Sequence, residues 1–240
     1  SDVVSFPLSE QDISAHADGA IVLVLAADDV AERLPIEPIW IRGIGWCNDA
    51  PSLETRAWGR SIYAENAGKM AYKMAGIRNP MEEIDFAEID DGYSYKELQH
   101  LEALAFCQFG EAGTLTAEGV TEPDGYLPVN VSGGSLGCGH LLDASGLRAV
   151  AEVVLQLRGE AGAHQLPDVE TGLAFGWRGV PSTSGAAVVL SGPGPRDSEA
   201  NNEHEKSCRR RSRHDQVRPP GPGNREGTVL RGYQDGPRNL

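Results

Sequence analysis

The sequence lacks the features that direct a chain into or across a membrane. Its 240 residues contain no run of eighteen or more apolar residues, and its polar N-terminal stretch has no basic segment followed by an apolar one. A membrane-spanning helix and a signal peptide are therefore not predicted. We expect a cytoplasmic protein, and because the first residue is Ser, we expect these residues to be a piece of a longer one.

Cysteine and histidine are few and are not spaced as metal ligands. The four cysteines lie too far apart for a CxxC pair, so we expect reduced thiols rather than a disulfide framework. The histidines have no metal-ligand spacing to one another or to a cysteine pair, and we predict no bound metal. The residues considered are Cys47, Cys107, Cys138, Cys208, His16, His100 and His164.

Positive charge is scarce except near the C-terminus. The whole chain has a net charge of −14, but residues 191–240 carry 10 Lys and Arg against 7 Asp and Glu. The first 190 residues therefore hold 11 basic and 28 acidic groups, a net charge of −17. A body this acidic repels phosphate backbones and anionic lipid, so we expect neither nucleic acid nor a membrane surface as a partner.

The last fifty residues have the composition of a disordered tail. Residues 191–240 contain six prolines and seven glycines, with an arginine cluster at 208–213. They cannot bury enough apolar surface to offset about 1–2 kcal/mol of backbone ordering per residue. The arginine cluster fits an anion-binding arm or a solvated tail without a role, and the segment also fits an out-of-frame extension of a GC-rich gene; these alternatives stay open.

The first 190 residues alternate short apolar runs with amphipathic segments, a pattern that predicts an α/β domain with a mixed β-sheet covered by helices. The segment 106–127 has no periodicity and is predicted to be a loop, either a substrate-covering flap or a surface excursion. The predicted strands are Ala20–Ala26, Ile36–Ile44, Ile84–Ile89, Val129–Val131, Gly172–Gly176 and Ala186–Leu190, and the predicted helices are Ala57–Gly76, Ser94–Phe106 and Ala144–Arg158.

The stretch from Asn130 to Gly146 is the densest in chemical signals. Five glycines in seventeen residues allow the backbone to approach a ligand closely, and the stretch ends where a helix is predicted to begin. It matches neither the dinucleotide-binding GxGxxG motif nor the phosphate-binding GxxxxGK[ST] motif. A histidine held in such a turn, as His140 is, can donate a hydrogen bond to a developing oxyanion.

Asn-x-x-Gly-Gly-x-x-x-x-Gly-His-x-x-x-Ala-Ser-Gly, present as Asn130 to Gly146, resembles the C-terminal active-site motif of the thiolase superfamily. Three other stretches support the resemblance over about residues 12–190. His16 to Leu23 is similar to the strand that ends the first thiolase half, and Ala87 to Ser94 is similar to the family's Asn-Glu-Ala-Phe or His-Asp-Ala-Phe loop. Gly176 to Gly185 resembles the end of the sterol-carrier and lipid-transfer branch.

The resemblance implies an enzyme built of two similar α/β halves that acts on coenzyme A thioesters, with coenzyme A as part of the substrate and no resident cofactor. On this basis, residues 1–36 end the N-terminal half, residues 37–190 form the C-terminal thiolase-like domain and residues 191–240 form the tail. The resemblance also implies a homodimer formed through the other half. It assigns His140 a catalytic role, and it assigns substrate binding to Asn130, Gly133, Gly134 and Gly139.

Three departures from the family pattern change the expected chemistry. The half that carries the family's nucleophilic cysteine is not in these residues, and no cysteine lies between Leu173 and Gly185, where a proton-shuttling one is expected. In addition, Asp90 and Tyr93 replace the family's Asn or His and its Phe. A carboxylate beside an incipient enolate repels it unless the carboxyl is protonated or acts as a base, and a phenol can move a proton.

Asp90 and Tyr93 therefore suit removal of a proton from a β-hydroxyl group, while His140 stabilises the thioester enolate. This is the retro-aldol cleavage of a β-hydroxyacyl-CoA that lipid-transfer-type aldolases perform on steroid side chains with a small OB-fold partner protein. Tyr95 is the substitute candidate if Tyr93 is a core residue, and Asp90-Asp91 also fits a charge pair at a helix N-terminus. Cys138 is expected to pack rather than to form a dyad with His140.

Two alternatives to the aldolase remain. One is thiolytic acyl transfer of the acetyl-CoA acetyltransferase type. The other is a non-catalytic fragment that binds acyl-CoA or lipid, or that serves as a scaffold for a partner.

Overall fold

The computed structural model describes residues 2–179 and 183–192 of the 240. The predicted disordered tail lies outside the described residues, apart from its first two positions. Within the described residues the predicted fold class is confirmed, because a mixed β-sheet carries helices on both of its faces.

The N-terminal segment forms a two-stranded antiparallel ribbon and then a stretch without regular secondary structure. Its strands are β1 (Val3–Ser5) and β2 (Leu8–Ser9), and a short helix, α1 (Asp28–Ala31), follows. The predicted buried strand Ala20–Ala26 is wrong as a strand, because these residues have no regular secondary structure and pair with no strand in the described chain. Val22 and Val24 are 85% and 89% exposed, so the apolar run is not covered.

Four strands form the main sheet in the spatial order β3-β6-β5-β4. The strand β6 pairs antiparallel with both β3 and β5, whereas β4 and β5 pair parallel. The bounds are β3 (Trp40–Asn48), β4 (Phe86–Ile89), β5 (Thr171–Arg178) and β6 (Ser184–Ser191). The predicted strand Val129–Val131 is reduced to one parallel bridge, between Val129 and Ala87.

In the described part of the chain six further helices follow α1, and four short 3₁₀ turns lie between elements. The helices are α2 (Ile62–Ala75), α3 (Pro80–Glu83), α4 (Ser94–Ala103), α5 (Ala112–Ala117), α6 (Gly134–Cys138) and α7 (Ser145–Arg158), and the turns are Glu10–Asp12, Leu53–Thr55, Leu142–Ala144 and Gly162–His164. The predicted loop 106–127 therefore contains a short helix, α5. None of the helices in the described ranges is long and apolar enough to cross a membrane.

The sheet is covered by α2 on one face and by α7 on the other, with a separate apolar cluster under each. Helix α2 lies so close to β3 that only glycine fits at two positions of the strand. A Cβ at Gly45 would overlap the backbone carbonyl of Ala67, and one at Gly43 would overlap that of Ala71. The helix ends at Gly76 in the left-handed conformation, with φ of 77°, as the sequence predicts.

Candidate active site

Three segments that are distant in sequence meet at the end of β4. The carboxyl end of this strand leads into the loop 90–93, the loop 130–140 runs beside it, and residues 13–17 cross both. Isolated bridges tie them together: Ala87 with Val129, Ile13 with Tyr93, and His16 with His140. The site therefore lies at the carboxyl edge of the parallel pair β4 and β5, which is where open α/β sheets commonly bind ligands.

Asp90 and His140 face each other in this site. The His140 Nε2 and Asp90 Oδ2 atoms are 3.9 Å apart, with the Asp90 side chain buried and that of His140 22% exposed. Between them lies Gly92, where a Cβ would meet the imidazole Cδ2 at 3.3 Å and the Asp90 Oδ1 at 3.4 Å. The glycine thus leaves room for the two side chains to act on one substrate group.

The environment of Asp90 holds its pKa close to neutrality. Burial raises the pKa of this carboxyl to about 6, and the negative charge of Asp91 adds to the effect. The backbone N–H groups of Gly92 and Trp177 and the charge of Lys96 act in the opposite direction. A carboxyl with a pKa of about 6 is mostly ionised at pH 7 and is still basic enough to accept a proton.

The hydrogen bonding of His140 defines which of its nitrogens carries the proton. The backbone N–H of Leu142 donates to Nδ1 at 3.0 Å, so in the neutral ring Nε2 carries the hydrogen and points toward Asp90. Burial lowers the pKa of His140, and the nearby His16 and Arg148 lower it further. The site thus pairs a neutral N–H donor with a basic carboxylate.

Tyr93 lies at the same edge but is not joined to either group. It is half-buried at the start of α4, with its ring centroid 5.8 Å from that of Tyr95 and 6.4 Å from that of Trp177. No hydrogen bond among the described residues joins its hydroxyl to Asp90 or His140. Tyr93 therefore borders the site as part of a cluster of three aromatic rings, Tyr93, Tyr95 and Trp177, which we call the aromatic wall.

Asn130 braces the site. Its Oδ1 accepts the backbone N–H of Ile89 at 2.8 Å, and its Nδ2 donates to Glu97 at 2.8 Å, so this side chain links the end of β4 to α4. Its φ of 52° lies in the left-handed region, which Asn tolerates better than most residues.

The glycines of the loop allow close contact with neighbouring segments. Gly133 and Gly134 have φ of 98° and 59°, and a Cβ at Gly134 would overlap the carboxylate of Asp91. That carboxylate accepts the backbone N–H groups of Ser135 at 2.6 Å and Leu136 at 3.2 Å. The acid thus stabilises the N-terminus of α6.

Gly139 brings the loop against the N-terminal segment. Its φ is 91°, and a Cβ there would lie 2.6 Å from the Cβ of Ala17. The neighbouring His140 N–H donates to the carbonyl of Ala15 at 2.7 Å. Gly139 therefore allows the pairing that fixes the backbone of His140.

Several residues at the site carry no signal in the sequence analysis. His100 is fully buried, and its Nδ1 lies 2.8 Å from the carbonyl oxygen of Asp90. Glu88 is buried beneath the loop and accepts hydrogen bonds from the Ser132 hydroxyl at 2.6 Å and from its N–H at 3.1 Å. Lys96 lies within the aromatic wall. The one available signal is the proximity of all three to Asp90 in sequence.

Cys138 is exposed rather than packed, and no hydrogen bond among the described residues joins its thiol to His140. Its thiol donates to the carbonyl of Ser132 at 3.2 Å, within its own loop. No cluster of three or more histidine, cysteine or carboxylate side chains is arranged to hold a metal ion in residues 2–179 or 183–192.

Comparisons with known proteins show the family to which these residues belong. The family model described as thiolase C-terminal domain-like matches residues 49–191. An acetyl-CoA acetyltransferase from Methanothermobacter thermautotrophicus is 36% identical over 79% of this chain, and rabbit (Oryctolagus cuniculus) sterol carrier protein 2 is 32% identical over 72% of it. Among solved structures, an Ltp2-ChsH2(DUF35) aldolase is 28% identical and superposes with a TM-score of 0.70 over 82% of this chain.

The matches also define how much of a relative these residues represent. The chain spans 48% of the acetyltransferase, 32% of the sterol carrier protein and 50% of the aldolase chain. The family model covers more than half of the present sequence, and the motif around His140 lies inside the matched range. The chain therefore belongs to the thiolase C-terminal domain-like family.

Proposed function

We propose that this chain forms part of an enzyme that breaks or forms a C–C bond beside a coenzyme A thioester, with retro-aldol cleavage of a β-hydroxyacyl-CoA as the reaction that its site supports best. The acyl group would be a lipid or steroid side chain. The observation that carries the proposal is the pairing of Asp90, with a pKa near 6, and the His140 Nε2–H, 3.9 Å away.

In this reaction the carboxylate of Asp90 removes the proton of the β-hydroxyl group. The Cα–Cβ bond then breaks, the β-carbon leaves as a carbonyl compound, and the bonding electron pair passes into the thioester as an enolate. The Nε2–H group of His140 forms a hydrogen bond to the enolate oxygen, and the proton that Asp90 took from the hydroxyl group is delivered to Cα, which completes the shortened acyl-CoA and restores the carboxylate. No covalent acyl-enzyme is formed, so the step requires no cysteine.

Tyr93 is proposed to hydrogen-bond the hydroxyl oxygen as it becomes a carbonyl. Its half-buried position in the aromatic wall supports this role, because the phenol lies beside the end of β4 that carries Asp90. Tyr95, which is 39% exposed and packs against Tyr93, is the substitute candidate.

The rival reaction is thiolytic acyl transfer, which the name of the archaeal acetyltransferase relative favours. In the family that chemistry uses a nucleophilic cysteine from the other half and a second cysteine that moves the α-proton, and no cysteine lies between Leu173 and Gly185, where the second one is expected. The second rival is a non-catalytic protein that binds acyl-CoA or serves as a scaffold, which would retain the fold without turnover.

The reactions are distinguished by incubating the native protein that contains this chain with two substrates. A β-hydroxyacyl-CoA alone should be cleaved to a carbonyl compound and a shorter acyl-CoA, with kcat/KM rising through about pH 6 as Asp90 ionises. A β-ketoacyl-CoA plus CoA should give no thiolysis. Thiolysis at normal turnover would refute the aldolase, and binding without either reaction would favour the scaffold.

Three variants then assign the roles. His140→Ala should abolish cleavage, Tyr93→Phe should slow it by about 10²–10³-fold, and Cys138→Ala should leave it unchanged. An unaltered rate in Tyr93→Phe would return this residue to the packing of the wall.

The proposal extends to the assembly. Coenzyme A would enter as part of the substrate, with no resident cofactor, and the enzyme would be a cytoplasmic homodimer. The name of the aldolase neighbour includes a second protein, ChsH2(DUF35), which supports a small OB-fold partner for this enzyme. Co-purification of the native protein with the product of an adjacent gene would test this.

A further inference from the structure

Lys96 is a half-buried lysine whose ammonium group lies over two rings of the aromatic wall and over the ring of Tyr63. Its Nζ lies 4.8 Å from the ring centroid of Trp177, 5.5 Å from that of Tyr95 and 5.8 Å from that of Tyr63. Aromatic faces stabilise a cation, by up to about 2 kcal/mol where water is excluded. Burial lowers the pKa of Lys96, and the ring faces and the negative charges of Asp90 and Asp49 oppose this effect by favouring the charged ammonium group.

No carboxylate neutralises this ammonium group directly. Within residues 2–179 and 183–192, Lys96 forms no ion pair shorter than 4.0 Å, although acidic residues outnumber basic ones by 35 to 21 in the chain. Its hydrogen bonds go to neutral groups, to Gln99 Oε1 at 2.9 Å and to the Tyr63 hydroxyl at 3.4 Å. An unpaired cation in a poorly solvated site acts on other charges over a longer range than a paired one does.

Asp90 is one of the two carboxylates that interact with this charge; the other is Asp49. Both Lys96 and Asp90 contact Trp177. The ammonium group of Lys96 lies over the indole ring, and the carboxylate of Asp90 accepts a hydrogen bond from the backbone N–H of Trp177. The other ionisable groups around Asp90 are Asp91 on its own loop, His140 on the loop before α7, and His100 on α4. Burial and Asp91 favour the neutral carboxyl; the N–H groups of Gly92 and Trp177 oppose them, and the charge of Lys96 adds a smaller effect in the same direction as these N–H groups.

A hydrogen-bonded chain also links Lys96 to the backbone of Asp90. The Tyr63 hydroxyl, which accepts from Lys96, lies 3.0 Å from His100 Nε2, and His100 Nδ1 lies 2.8 Å from the Asp90 carbonyl oxygen. Burial lowers the pKa of His100 to about 3, so its ring is neutral. Because a carbonyl only accepts, Nδ1 carries the hydrogen, and Nε2 accepts from the tyrosine.

We propose that Lys96 is a positioning residue whose unpaired charge keeps Asp90 ionised, so that Asp90 can serve as the base at neutral pH. The inference rests on the proposed function of Asp90 and adds the group that regulates its charge. Lys96 itself need not touch the substrate, because it acts through the field at Asp90 and through the chain of Tyr63 and His100.

The first test measures the charge of Asp90 without any catalysis. The protein is labelled with ¹³C at aspartate side-chain carboxyls, and the Asp90 signal is assigned by its loss in Asp90→Asn. In Lys96→Met the midpoint of this signal should move to higher pH, by up to about one unit. Lys96→Arg should keep the wild-type midpoint, and so should Lys73→Met, which removes an exposed lysine from α2. An unmoved midpoint in Lys96→Met would overturn the proposal.

The second test follows the same variants in the cleavage of a β-hydroxyacyl-CoA. The acid limb of kcat/KM should move up with the carboxyl midpoint in Lys96→Met, so that activity falls up to tenfold near pH 6 and recovers above pH 8. Loss of activity by the same factor at every pH would contradict the proposal. If Lys96→Met does not fold, Lys96→Gln, which can still hydrogen-bond Gln99, serves in both tests.

The two tests separate this inference from the proposed function. A moved carboxyl midpoint in a protein that cleaves no β-hydroxyacyl-CoA would refute the proposed aldolase and leave the control of Asp90 by Lys96 intact. An active aldolase whose Asp90 midpoint is unaffected by Lys96→Met would do the reverse.

Discussion

The buried carboxyl of Glu88 makes a contribution to the free energy of unfolding that falls as the pH rises. Glu88 is 2% exposed on β4, beneath the loop that precedes His140. Burial raises its pKa from 4.5 to about 7; the charge of Glu152 adds to this, while the two hydrogen bonds from Ser132 and the charge of Arg148 oppose it. Glu88→Gln keeps the shape of the side chain and removes the titration.

The magnitude follows from the difference between the two states. Below pH 4.5 the Glu88 carboxyl is mostly protonated in both the folded and the unfolded state, so its titration does not change the free energy of unfolding. Between pH 4.5 and 7 only the unfolded state releases the proton, and the free energy of unfolding falls by about 1.4 kcal/mol per pH unit. Above pH 7 the accumulated loss is about 3 kcal/mol, and Glu88→Gln avoids it.

Urea unfolding of the wild type and of Glu88→Gln from pH 4.5 to 8 measures this difference. The substitution also alters the hydrogen bonds to Ser132, and this part of its effect is taken as constant with pH. The informative quantity is therefore how the difference in unfolding free energy between Glu88→Gln and the wild type changes with pH. It should favour the variant by about 3 kcal/mol more at pH 8 than at pH 4.5. Glu118→Gln, at an exposed position, should show no such trend. Parallel curves for the wild type and Glu88→Gln would refute the reasoning.

Two further substitutions test the loop and its brace. Gly134→Ala places a Cβ against the Asp91 carboxylate at a positive φ, so it should lower the unfolding free energy by about 2–4 kcal/mol and reduce activity. The control is Gly137→Ala, where the new Cβ faces open space and the unfolding free energy should change by less than about 1 kcal/mol. Asn130→Asp keeps the acceptor for β4 but sets a carboxylate 2.8 Å from Glu97, so its stability deficit in urea should grow between pH 5 and 8; a deficit independent of pH would contradict this.

Local patterns predicted those elements whose ends are marked in the sequence. The helix predicted at Ala144–Arg158 is observed at Ser145–Arg158, and it ends at Gly159 with φ of 73°. The strand predicted at Ile36–Ile44 begins instead at Trp40, because Pro38 has no N–H to donate to a neighbouring strand. The predicted start of α2 at Ala57 is five residues early, and Trp58 is 61% exposed ahead of the helix.

The failed strand at Ala20–Ala26 shows what an apolar run can and cannot specify. Its β-branched residues favour an extended chain, and the segment forms no helix. Burial and pairing depend on residues far away in sequence, and the described chain provides no strand beside it. The composition of a segment therefore predicts its preference for a covered position, but not which surface covers it.

The candidate site divides in the same way between local and long-range information. His140 was found from the spacing of one seventeen-residue stretch, because its hydrogen-bond donor role depends on its own loop. The pKa of Asp90 near 6 depends instead on burial, on the backbone N–H groups of Gly92 and Trp177, and on two charges of opposite sign, Asp91 beside it and Lys96 on α4. Spacing alone left open whether this carboxyl is protonated or acts as a base.

Asp91 connects the two kinds of information, because one carboxylate has two effects that oppose each other. Its hydrogen bonds to the N–H groups of Ser135 and Leu136 hold the glycine loop in place, while its charge raises the pKa of Asp90. A loop secured by an acid next to a carboxylate base therefore requires a compensating cation if that base is to be ionised at neutral pH. Lys96, held by aromatic rings and paired with no carboxylate within 4.0 Å in the described chain, is the cation that we propose for this role.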